Sequence, residues 1–142
     1  MNNLENKYMY HGTPKCINNL IPGAYVDDAP TGGHAGCLGV SFSTKKCVCL
    51  NFALCGNSTG WLYRVEIEQL NIIDSDKCDA DQFNETEVRE LIDSGVDGVR
   101  LVPTFAPGQE HEIVVFNYKK INIDAKMKLL ACDFKRYWDA WK

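Results

Sequence analysis

The apolar residues of this chain come in short runs, and each run is soon stopped by glycine, proline or a polar cluster. A chain built this way folds as many short elements around one core, not as a few long helices. Its 142 residues suit a single domain, and 45 % hydrophobic content suits a globular one. No stretch approaches the roughly 18 consecutive apolar residues of a membrane span, so no membrane partner is expected. The formal net charge of −4 gives no general attraction to nucleic acid or anionic membranes. The first ten residues carry Glu5 and Lys7 and no apolar core, unlike a secretory signal. A soluble, cytoplasmic protein is expected, in the cell that makes it or in a target cell that receives it.

Seven cysteines (Cys16, Cys37, Cys47, Cys49, Cys55, Cys78 and Cys132) make an odd count, which favours reduced thiols. The competing reading is zinc held by His34, Cys37, Cys47, Cys49 and Cys55. Structural zinc usually takes close Cys-x-x-Cys pairs on tight turns. Here Cys47 and Cys49 fall two apart in a predicted helix and point to different faces, so no metal is expected.

Residues 7–10 predict a short strand. Thr13 before Pro14 predicts a capped helix over about 14–20. Residues 22–37, with four glycines and two prolines, predict a long loop of the kind that shapes binding sites. Residues 38–43 predict a strand, and Thr44 a cap for a helix running to about Cys55, ended by Gly56. Residues 61–68 alternate as a half-buried strand does, and 70–73 form another extended piece. Asn84 and Glu87 form a capping box for a helix through Asp93, closed by Gly95. Residues 96–102 and 112–116 predict strands. From 124 to 142, Met127, Leu130, Phe134, Trp138 and Trp141 recur at spacings of three or four, which predicts an amphipathic helix. Its lysines and aromatics could meet nucleic acid or an apolar groove, but ordinary amphipathicity explains them better. The sum is one α+β domain over 1–142, with a core at about 7–123 and a C-terminal helix.

Three segments hold candidate chemistry. His11-Gly12-Thr13 offers an imidazole beside backbone that a ligand can approach, although His-Gly pairs are more often simple turns. Residues 39–44 place Ser41 and Ser43 on one side of a strand before Thr44, where free amides suit an anionic or carbonyl ligand; an ordinary capped junction reads the same way. Glu110 and Glu112 flank His111 at a strand start, close enough to feel each other's charge. A fixed carboxylate there would stabilise positive charge developing on a sugar carbon. A solvated pair at a strand start is the plain alternative.

In this order, the segments resemble the ADP-ribosyltransferase superfamily, over about residues 8–118. His11-Gly12-Thr13 is similar to the His-Gly-Ser/Thr segment of the diphtheria-toxin and poly(ADP-ribose)-polymerase branch. Residues 39–52 are similar to that branch's second segment, with Asn51-Phe52 as its Asn-aromatic pair. Ser43-Thr44 and Glu110-His111-Glu112 resemble the Ser-Thr-Ser and Glu-x-Glu motifs of the arginine-modifying branch. The run 95–99 ahead of a glutamate-led strand is similar to small bacterial and phage-borne members.

The resemblance implies a split β-sheet core with peripheral helices and NAD as co-substrate. It implies that Glu112 holds the nicotinamide ribose and stabilises charge as nicotinamide leaves, while Glu110 orients or deprotonates the acceptor. His11 would bond the adenosine ribose, and the Gly12 backbone the nicotinamide amide. Thr13 belongs to the same binding segment. Ser41, Ser43 and Thr44 would shape the pocket, and Phe52 would stack on the nicotinamide ring. Ser41 stands where the polymerase branch has a stacking tyrosine, Cys49 where it has a serine contacting the amide, and His11 where the arginine branch has arginine. Single transfer is therefore expected over polymer synthesis. The acceptor would be a macromolecule, a protein first and nucleic acid second, in an effector, toxin or phage setting. NAD glycohydrolysis and a catalytically silent binding module are the alternatives. Oligomeric state is left open.

Overall fold

The computed structural model describes residues 7–14, 16–22, 38–54, 58–102 and 112–133. They form a mixed α+β fold around one seven-stranded sheet. In chain order the elements are β1 (Tyr8–Thr13), β2 (Val40–Ser43), α1 (Lys46–Ala53), β3 (Thr59–Glu66), β4 (Ile72–Asp74), α2 (Glu85–Asp93), β5 (Gly98–Arg100), β6 (Glu112–Val115) and β7 (Ile123–Leu130). The sheet order is β4-β5-β6-β2-β1-β3-β7. Every neighbouring pair is antiparallel except β4 and β5. That parallel pair needs a crossover, and the segment carrying α2 supplies it.

Both faces of the sheet are covered. On one, Met9, Phe42, Tyr63, Val65, Ile113 and Val115 pack with Leu20, Ile67 and Leu70. On the other, Leu62 and Leu129 meet Cys49, Leu50 and Ala53 of α1, and Val99 and Val114 join Val88 of α2. Double coverage explains why consecutive residues are inaccessible, as at Leu62-Tyr63 and Ile113-Val114-Val115. The alternation expected over 61–68 is thus overridden in the middle of β3.

Helix α2 forms as its caps dictate. The Asn84 side chain takes the Glu87 amide, the Glu87 side chain takes the Asn84 amide, and Gly95 closes the end at φ +90°. Three expectations are corrected. Thr13 does not cap a helix: it ends β1 opposite Trp61, and residues 16–20 are irregular. The buried Tyr63 hydroxyl holds them instead, accepting from the Ile17 amide at 2.8 Å and donating to its carbonyl at 2.9 Å.

Thr44 does not cap α1 either. Lys45 is the N-cap residue, without a side-chain cap bond, and Ser43 Oγ accepts the Lys45 amide at 3.0 Å. The helix ends at Ala53, and residues 55–57 lie outside the described residues.

The largest correction concerns the C-terminal segment: residues 123–130 are strand β7, followed by a 3-10 turn over Ala131–Asp133. Ile123, Ala125, Met127 and Leu129 alternate with Asp124, Lys126 and Lys128, a period of two that competes with the helical spacing. Pairing along β3, from Thr59↔Leu130 to Val65↔Ile123, decides between them. Leu129 is fully buried, whereas Leu130, the expected core residue, is 38 % exposed. Residues 134–142, with Phe134, Trp138 and Trp141, lie outside the described residues.

Candidate functional site

The sheet order sets β2 between β1 and β6, so segments about 30 and 70 residues apart in sequence become neighbours. β1 and β2 pair at one position, Tyr10↔Ser43. The next link across them is a side chain: His11 Nδ1 lies 2.7 Å from the Ser41 carbonyl oxygen. A carbonyl can only accept, so Nδ1 carries the hydrogen and, in the neutral ring, Nε2 carries the lone pair. Burial pushes the imidazole below its ordinary value of 6.5, against the opposing effect of the Ser41 bond. His11 is therefore neutral at pH 7. The Phe42 ring meets it edge-on at 5.8 Å.

On the other side of β2, Ser43 stands directly opposite Glu112 and Ser41 opposite Val114. Residues opposed in this way project from one face, as do residues two apart on a strand. Ser41, Ser43 and Glu112 therefore share a face, and Ser41 Oγ donates to Glu112 Oε2 at 3.2 Å. Ser41 and Glu112 are both half-buried. Ser41 thus touches both candidate groups from opposite faces, His11 through its carbonyl and Glu112 through its hydroxyl, because the Tyr10↔Ser43 pairing sets Tyr10 on the Glu112 face and His11 on the face of Phe42.

The other expected positions are placed differently. Thr13 and Ser43 are buried, each 5 % exposed, and Ser43 is engaged with the start of α1. Thr44 is half-buried at the bend after β2. At Gly12 the close backbone approach belongs to α1: a Cβ there would sit 2.0 Å from the Cys49 carbonyl oxygen. Packing of helix on strand accounts for that glycine. Cys49, the counterpart of an amide-contacting serine, is buried, and its thiol donates to the Tyr10 carbonyl at 3.1 Å. Glu110, His111 and the side chain of Phe52 lie outside the described residues.

Asp97, within the run 95–99, is a carboxylate only 2 % exposed and belongs to none of the three candidate segments. It accepts from the Asn71 amide at 2.8 Å, Asn117 Nδ2 at 3.0 Å and Lys120 Nζ at 3.1 Å. Burial raises its pKa, and these bonds overcome that effect and hold it below the ordinary 3.8. Its local signal in the sequence is the glycine-flanked run 95–99. Among the described residues, no helix is long and apolar enough to cross a membrane. No protein-family model matches the chain, and no curated protein matches it.

Proposed function

We propose that the chain is an NAD-dependent mono-ADP-ribosyltransferase, which moves ADP-ribose from NAD to a macromolecular acceptor and releases nicotinamide. The observation that carries this reading is the double engagement of Ser41, with the His11 imidazole on its carbonyl and the Glu112 carboxylate on its hydroxyl. A half-buried carboxylate beside a hydroxyl suits the hydroxyls of the nicotinamide ribose, and a neutral imidazole across the β2 backbone suits those of the adenosine ribose.

NAD would supply the leaving group and the electrophilic ribosyl carbon. The chain's residues would do the rest. The Glu112 carboxylate stabilises positive charge on that carbon as its bond to nicotinamide breaks. The Ser41 hydroxyl, donating to Oε2, fixes the direction of that carboxylate. His11 holds its hydrogen on Nδ1 against Ser41, leaving Nε2 to accept from a ribose hydroxyl. The resemblance assigns acceptor handling to Glu110, and a protein acceptor remains the first choice over nucleic acid.

The test uses NAD labelled in its adenylate half, incubated with the protein and a cell lysate, with Glu112→Gln as control. Label transferred to a macromolecule, and lost in the variant, supports the transferase. Nicotinamide release at full speed without lysate, with no label transferred, replaces it with a glycohydrolase. Neither activity, with NAD bound equally by both proteins, replaces it with a binding module.

A further inference from the structure

Far from the β1–β2 contact, the sheet ends at β4, which among the described residues has a strand partner on one side only. A groove of about 540 Å³ runs between this edge and α2. Its floor is apolar: Ile73, Phe83, Leu91 and Val99 line it, and Ile73 is 40 % exposed. Along α2, Glu87, Glu90, Leu91 and Ser94 line it at spacings of three and four, so one stripe of the helix faces the groove. Asp74 and Asp76 flank it on the strand side. Among the described residues of its lining the one cation, Lys77, pairs with Glu87 and lies 4.4 Å from the centre of the Phe83 ring.

The surrounding stretch, residues 71–97, carries nine acids against two bases. Exposed sheet edges pair with other chains unless something prevents it, and charge is a common deterrent. Acids on this edge repel an acidic strand, including the same edge of another copy, and attract a basic one.

We propose that the β4–α2 groove docks an extended segment of a partner protein in which lysine or arginine alternates with apolar residues. Its main chain pairs with the free side of β4. Its apolar side chains rest on Ile73 and Leu91, and its cations, on the opposite face, meet Asp74 and Asp76. Main-chain pairing gives affinity and the alternating side chains give selectivity. The groove is separate from the Ser41 contacts, so this inference does not rest on the NAD reading.

The test is fluorescence anisotropy on the full chain with a fluorescein-labelled peptide of alternating arginine and valine. Two further probes are its glutamate–valine counterpart and a version with the central valine replaced by proline. The expected result is binding of the first peptide alone, weakened about tenfold or more by Asp74→Lys combined with Asp76→Lys. On the unaltered protein, the peptide should slow hydrogen exchange at Ile72 and Asp74, a readout that needs no variant. Equal binding of the acidic peptide, or unchanged binding to the charge-reversed variant, overturns the proposal. Equal binding of the proline peptide without protection of β4 overturns strand pairing. Self-association that Asp74→Lys combined with Asp76→Lys abolishes would give the groove to a second copy and also overturn it.

Discussion

Two carboxylates at the starts of neighbouring strands show how differently one sheet can use the same group. Asp97, just before β5, is nearly inaccessible and is ringed by a backbone amide, an asparagine and a lysine. Its own carbonyl also takes the amides of Phe116 and Asn117. Glu112, the first residue of β6, is half-buried beside the Ser41 hydroxyl, next to the single β1–β2 pairing. Asp97 ties the loop before β4 to the turn after β6, and removing its charge should loosen the fold. Glu112 keeps part of its surface open where the ladder is thinnest, and removing its charge should spare the fold.

The largest effect expected from that contrast is on turnover. Glu112→Gln should slow NAD consumption by ~10²–10³-fold, the cost of losing one electrostatic stabiliser of a transition state. The thermal midpoint should stay close to that of the parent. A fall in both, measured by nicotinamide release and by calorimetry on the same sample, would make the two carboxylates equivalent and break the comparison.

Next in size is Asp97→Ala. It leaves the Asn71 amide and Asn117 without their acceptor, at an expected cost of about 3 kcal/mol in urea unfolding. Lys120 adds little to this, since it is 54 % exposed and water screens the pair. NAD binding per folded molecule should be unchanged.

Gly12→Ala sharpens the comparison from the other side of β2. The added methyl would meet the Cys49 carbonyl, so α1 must shift, at about 1–3 kcal/mol. If Gly12 were instead reserved for a ligand, stability would hold and NAD affinity alone would fall. Denaturation and equilibrium binding on one preparation separate these outcomes.

The region around Asp97 and α2 was partly legible in the sequence because its grammar is local. Asn84 and Glu87 cap each other, and Gly95 supplies the positive φ, within a dozen residues. The same grammar at Asp79 and Gln82 makes a second capping box, around a single 3-10 turn. The centre of the sheet was less legible because its decisive contacts are remote. Thr13-Pro14 has the form of a helix start, yet Tyr63, 46 residues beyond Ile17, fixes the chain there. Residues 123–130 satisfy two periods at once, and only β3 chooses between them. For the site, Glu112, Ser41 and His11 could be picked out by residue type and order. That Ser41 would join the other two by its carbonyl and its hydroxyl could not, since that depends on β2 lying between β1 and β6.

The smallest effect is in acid. Asp97 titrates below 3.8 in the folded chain and near that value when unfolded. Its contribution is therefore complete above about pH 4 and is lost as the pH falls through the depressed folded value, where the unfolded chain binds the proton more readily. The slope is limited to about 1.4 kcal/mol per pH unit for one proton. Asp97→Asn removes this proton from the balance. The stability gap between parent and variant, followed by urea midpoints, should thus be flat at neutral pH and narrow in acid. A gap that stays constant into strong acid would mean that the shape of the Asp97 side chain, not its charge, holds the loop and the turn together.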